Sequence, residues 1–263
     1  CMDRRSARSQ LELRALEILA APDLRTARRL AGSKPDPRLA EALFQAFARS
    51  LGAEPDQALA WSRRHRIWSD LGAPALACRV RAGADLLRGR YGSAAQWFAR
   101  AALHADTPEA AAAHRIGEVD ALARAGRPGE GIELAQALLP LVRGFQRGRL
   151  LLNLGNALAW ADRLPEAEHT YADAARNLGS APVLRAAAWL GRSTALVFGE
   201  RPAAGAMWAE RAKKVFLEAD LPAYTALAEG NLAYAELLQG RPDQAYLRLL
   251  RIDADGLSGT DRA

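Results

Sequence analysis

Cysteine occurs only twice in the 263 residues, as Cys1 and Cys78. Two thiols so far apart make no disulfide framework, and no CxxC pair is present to grip a metal. A reducing compartment fits, and cytoplasmic is the expected location. Aromatic residues make up 6% of the chain, whereas half of it is hydrophobic, with Ala and Leu dominating. Strands favour β-branched and aromatic residues, so this composition points to close-packed helices. No uninterrupted apolar run approaches the roughly 20 residues needed to cross a bilayer, and no membrane association is expected. The chain opens with Cys rather than Met and shows no signal-peptide pattern. Cys1 is therefore read as a fragment edge in preference to the processed terminus of a lipoprotein.

Lysine is almost missing as well, with Lys34, Lys213 and Lys214 the only examples. The formal charge of +6 first suggests an acidic partner. The cations are nearly all arginine, however, which reads as the general composition of an Arg/Ala-rich chain. The block Arg63-Arg64-His65-Arg66 is short and has no interleaved aromatic on which a base could stack. Direct RNA binding by a basic array is kept only as an alternative.

Against this background one feature recurs. Small residues follow a Gly/Pro/Arg/Asp break in EPDQALAW (Ala58), GRYGSAAQWF (Ala94), GRPGEGIELA (Gly131), DRLPEAEHTY (Ala167), GERPAAGAMW (Ala204) and GRPDQAYLRL (Ala245). The successive intervals are 36, 37, 36, 37 and 41 residues, the signature of a repeat array. In each copy a helical run of about four turns leads into a short polar break, and a second amphipathic run follows. In residues 150–175, Leu151, Leu154, Gly155 and Leu158 share one helical face, while Ala167, Tyr171 and Ala174 share another. Gly155 and Ala167 let two backbones approach, and Tyr171 fills the space beyond them. The expected fold is all-α: antiparallel helix hairpins stacked into an α–α superhelix, with first helices lining a concave wall. The array is placed at 36–251 with about six hairpins, a capping helix pair at 1–35, and a polar tail at 252–263.

These residues resemble the tetratricopeptide repeat, whose pattern is an apolar position, Leu-Gly, an aromatic or Leu, then Ala, Phe/Tyr and Ala. The copy at 150–175 follows it closely, and that at 227–251 follows it through Asn231-Leu232-Ala233, Gly240-Arg241-Pro242 and Ala245. The phrases LLLNLGNALAWADRLPEAE and EGNLAYAELLQGRPDQA are similar to the amino-terminal arrays of bacterial proteins that carry a CHAT (caspase-like) protease domain. That resemblance implies a non-catalytic scaffold that binds a protein or peptide in its groove and regulates such a protease. The arrays of bacterial transcriptional activators and signalling ATPases are the alternative of the same class.

Asparagines before the Leu-Gly pair line the groove in this family and bond a peptide backbone, a role the resemblance implies for Asn153 and Asn231. Arg81, Arg115, Arg149 and Arg185 are spaced by 34, 34 and 36 residues. Residues one repeat apart project alike, so these guanidiniums would form a ladder for an acidic ligand. Of the six tryptophans, Trp160 and Trp189 fall on first helices and are candidate groove anchors; the others are expected in the core. His65, His104, His114 and His169 have no spacing that would pair two metal ligands, so neither metal nor cofactor is expected. Ala77-Cys78-Arg79 lacks the flanking Gln and Gly of a caspase nucleophile, and GRPGEG and GRYGSA lack the Lys-Ser/Thr of a phosphate loop. No nucleophile, base and orienting group assemble, and no enzymatic activity is expected.

Overall fold

The computed structural model describes residues 2–32 and 34–256. Helices account for nearly all of them: α1 (Met2–Ala20), α2 (Leu24–Ala31), α3 (Pro37–Ala53), α4 (Pro55–Ser62), α5 (Arg66–Asp70), α6 (Pro74–Leu87), α7 (Tyr91–Ala102), α8 (Pro108–Arg124), α9 (Pro128–Leu138), α10 (Gly144–Trp160), α11 (Leu164–Asn177), α12 (Pro182–Phe198), α13 (Pro202–Glu218), α14 (Pro222–Leu238) and α15 (Pro242–Gly256). No strand occurs among the described residues. Proline opens α3, α6, α8, α9, α12, α13 and α14, where its missing N–H is an orphan in any case and its fixed φ suits a first turn. Asp23, Asp36 and Thr107 cap their helices by accepting from backbone N–H groups three residues on.

The chain divides between Ala125 and Gly126 into two compact units. In the first, α1–α3 and α6 surround a core of Ile18, Leu39, Leu43, Phe47 and Trp68. The buried indole of Trp68 donates from Nε1 to the Ala40 carbonyl at 3.0 Å. Here the second helix of one hairpin is broken: α4 and α5 are separated by a turn at 63–65. The second unit stacks α10 through α15, each helix packing on its sequence neighbours, with α10 also touching α12 and α12 touching α14. Each unit is thus an α-solenoid of helix hairpins.

The repeat is written most clearly in its turns. Gly89, Gly126, Asp162, Glu200 and Gly240 all have positive φ, at intervals of 37, 36, 38 and 40 residues, and each is followed by an arginine. Where the turn closes, that arginine's N–H donates to the carbonyl five residues back, as from Arg90 to Asp85 (2.8 Å), Arg163 to Leu158 (2.9 Å) and Arg201 to Leu196 (2.8 Å). Counting from these turns moves one predicted register: the buried small residue of α13 is Gly205, not the half-buried Ala204. A Cβ on Gly205 would run into Val197 and the Ser193 carbonyl. The repeat's contact rule is visible at Tyr171, whose ring lies where a Cβ on Gly155 (2.6 Å) or Gly191 (2.5 Å) would go. Phe98 meets Gly117 in the same way. The last helix runs to Gly256, so the polar tail predicted from 252 begins inside it; residues 257–263 and Cys1 lie outside the described residues. Among the described residues no helix is long and apolar enough to cross a membrane.

Candidate functional site

The structure separates the residues expected to line a groove. Asn231 is engaged within the fold: its Nδ2 donates to Thr194 Oγ1 at 2.9 Å, with Ser193 Oγ at 3.3 Å, which ties α14 to α12. The amide nitrogen foreseen for a peptide backbone is thus engaged within the fold. Asn153 is half-buried on α10. Trp189 is not a groove anchor but a core residue, 8% exposed, packed on Phe216 and Ala212 with its ring 6.2 Å from that of Trp208. It sits mid-helix, where the next hairpin covers it. Trp160 is the opposite case, at the last position of α10 and 65% exposed.

The four arginines share a spacing but not an environment, two lying in each unit. Arg115 chelates Glu118 on its own helix, with Nε and Nη2 donating at 2.7 and 2.9 Å. Arg149 donates to Gln146 Oε1 at 3.0 Å, and burial draws its pKa down. Arg185 lies over the Trp189 ring, 5.1 Å from its centroid, with a buried Nε that meets no acceptor. Arg81 borders a cleft. Of the four, only Arg115 has a carboxylate partner among the described residues.

That cleft, about 530 Å³, lies in the first unit between the α4–α5 turn and the α6–α7 hairpin. Arg63 and His65 come from the turn, Arg81, Asp85 and Arg88 from α6 and its end, and Arg90, Ser93, Trp97 and Arg100 from the start and body of α7. Asp85 is the one acid on its walls; it accepts from Ser93 Oγ at 2.6 Å and lies 4.0 Å from Arg88. No carboxylate among the described residues pairs with Arg63, Arg81, Arg90 or Arg100. Arg81 and Arg100 sit over the Trp97 ring, 3.7 and 4.6 Å from its centroid. Burial holds His65 below the ordinary histidine range, and the charges of Arg81 and Arg66 lower it further. The basic block was visible in the sequence, but the partner residues that make it a cleft lie about 20 and 35 positions away.

A smaller cleft in the second unit, about 310 Å³, is lined by Leu217, Leu221, Pro222 and Ile252 beside Lys213 and Arg248. Arg248 binds Glu236 at 2.7 Å and also reaches Glu229, while Lys213 holds Glu210 and Glu229 at 3.0 and 3.2 Å. A third feature of that unit is apolar. Trp160, Phe198 and Leu238 each stand two residues before a positive-φ turn residue, at the ends of α10, α12 and α14. They are 65%, 57% and 47% exposed. Tyr234, one helical turn back, stacks 5.0 Å from Phe198. The same position in the first unit holds the half-buried Leu87 and the polar Arg124.

No family model and no curated protein matches this chain. Solved structures do. BtubC (BKLC) from P. vanneervenii superposes with a TM-score of 0.55 at 14% identity, covering 85% of this chain and 91% of its own. The Rap protein complexed with Competence and Sporulation Factor superposes with a TM-score of 0.63 at 11% identity, covering 94% of this chain and 77% of its own. At such identities the likeness establishes the fold, a tetratricopeptide-like helical repeat.

Proposed function

We propose that this chain is a non-catalytic helical-repeat scaffold that docks a segment of a partner protein along the ends of the first helices of its second unit. The observation that carries this reading is the row formed by Trp160, Phe198 and Leu238, three large apolar side chains left in solvent one repeat apart. Exposed apolar residues scattered singly are ordinary; a row at the repeat's own spacing is not. Aromatic anchors of this kind supply most of the energy in protein interfaces. The likeness to the Rap protein, solved in complex with Competence and Sporulation Factor, supports a fold able to hold a partner. The test compares partners recovered from source cells by the wild type and by Trp160→Ala/Phe198→Ala, with circular dichroism confirming an intact fold. Loss of a specific partner is expected; an unchanged set would remove the reading.

A finer form makes the array the sensor of a CHAT-type protease on the same polypeptide, on the resemblance carried by residues 150–168 and 229–245. Sequencing the gene to either side tests it. A caspase-like His/Cys pair supports the protease; a helix-turn-helix or a P-loop replaces it with the activator or ATPase.

A further inference from the structure

We propose that the arginine-lined cleft of the first unit binds a compact polyphosphate, a di- or triphosphate group either free or at the end of a larger molecule. This site is separate from the apolar row and does not depend on it.

Charge balance is the first argument. Arg63, Arg81, Arg88, Arg90 and Arg100 line the cleft, and Asp85, already accepting from Ser93, is the only acid on its walls. In two other copies the arginine that opens a second helix is neutralised by a carboxylate three residues on, while Arg201 binds Glu168 and Arg241 donates to Gln244. Arg163 holds both oxygens of Glu166 at 2.6 and 2.7 Å, and Arg127 chelates Glu130. At Arg90 the corresponding residue is Ser93, whose hydroxyl turns instead to Asp85. The counter-charge present at Arg127 and Arg163 is therefore missing at Arg90, where four more arginines line the same cleft.

Charge density then selects the ligand. Guanidinium forks fit carboxylate and phosphate alike. A carboxylate brings a single charge on a whole residue, so matching the cluster would take a run of acidic side chains inside about 530 Å³. A terminal phosphate carries about −1.5 to −2 charge on three acceptor oxygens, and two or three linked phosphates balance the cluster in a fraction of that space. Trp97 fits the same conclusion. With Arg81 at 3.7 Å and Arg100 at 4.6 Å over its ring, the indole holds two guanidiniums instead of offering a face to a base. A stacked guanidinium keeps its in-plane N–H donors for an anion beside it. These contacts favour the phosphate chain itself over single-stranded RNA, which needs stacking platforms.

The experiment is calorimetric titration of the whole chain, in a phosphate-free buffer at low and physiological salt, with sodium tripolyphosphate, ATP, a Glu-rich peptide and an RNA oligonucleotide. Saturable one-site binding of tripolyphosphate is expected, weakened at least tenfold in Arg81→Ala and in Ser93→Glu. The second variant introduces the carboxylate that pairs with the corresponding arginine at Arg127 and Arg163, and Arg90→Ala serves if it fails to fold. Arg176→Ala, in the other unit, should bind like wild type. ATP binding as tightly as tripolyphosphate means that the group is read at the end of a larger molecule; ATP failing means that the free chain is the ligand. No saturable tripolyphosphate binding at low salt, equal binding by the wild type and both Arg81→Ala and the Arg90 or Ser93 variant, or tighter binding of the peptide or the RNA would overturn the assignment.

Discussion

Tyr171 has no room to yield. Its ring fills the space over Gly155 on one side and Gly191 on the other, so a methyl added at either glycine drives it into the second. Gly155→Ala should therefore destabilise the protein by about 1–3 kcal/mol through overpacking, even though alanine is the better helix former. Gly230, in α14, meets nothing within 4 Å of a Cβ, so Gly230→Ala should stabilise by about 0.5–1 kcal/mol. Urea denaturation of the two variants side by side checks the contrast. The Gly155–Tyr171 pairing is legible in sequence because both partners lie in one hairpin. The Gly191 half is not, because it is supplied by the next copy. Trp160 and Trp189 look equivalent in sequence, each on a first helix, and differ only in distance from the turn. Two residues before the turn a side chain clears its neighbour, whereas mid-helix it is covered.

At the scale of the element, the hairpin turns carry the repeat. Asp162 and Glu200 adopt the left-handed conformation with φ of 58° and 59°, where Gly89, Gly126 and Gly240 stand in other copies. A side chain there costs about 1–2 kcal/mol, partly offset by the freedom glycine loses on folding. Glu200→Gly should raise the denaturation midpoint by the equivalent of roughly 0.5–1 kcal/mol. Asn231 joins α14 to α12 by a different device. Asn231→Ala should cost about 1 kcal/mol and leave partner capture unaffected, which thermal melting and the same pull-down decide together. Helix order and repeat length follow from apolar periodicity and the break motifs, all local signals. The differing surroundings of the four evenly spaced arginines were not legible, because spacing along the chain does not reveal the local partner, Glu118 for Arg115, Gln146 for Arg149 and an indole for Arg81 and Arg185.

Over the whole molecule the ion pairs make stability sensitive to acid. The double hydrogen bond from Arg248 holds Glu236 below the ordinary glutamate value of 4.5. Arg163 and Arg127 do the same for the exposed Glu166 and Glu130. A carboxylate whose folded pKa is depressed contributes stability that is fully present above its unfolded value and lost as pH falls through the folded one. The melting temperature should thus decline as pH falls below about 4.5, in addition to the loss that sets in below 6.5 because the half-buried His65 and His114 resist the proton that the unfolded chain takes up. Glu236→Gln should lower it at neutral pH and flatten the decline, as melts across a pH series would show. The arginines keep their charge throughout and add nothing to the slope.

The serine at position 93 suggests how such a cleft arises. An exposed ion pair contributes only about 0–1 kcal/mol, so a modular protein can surrender one glutamate with little harm to folding. The orphaned cation then becomes available to whatever anion diffuses past. Binding capacity is obtained here by omission, and the next two copies, with Glu130 and Glu166 in place, show the closed alternative.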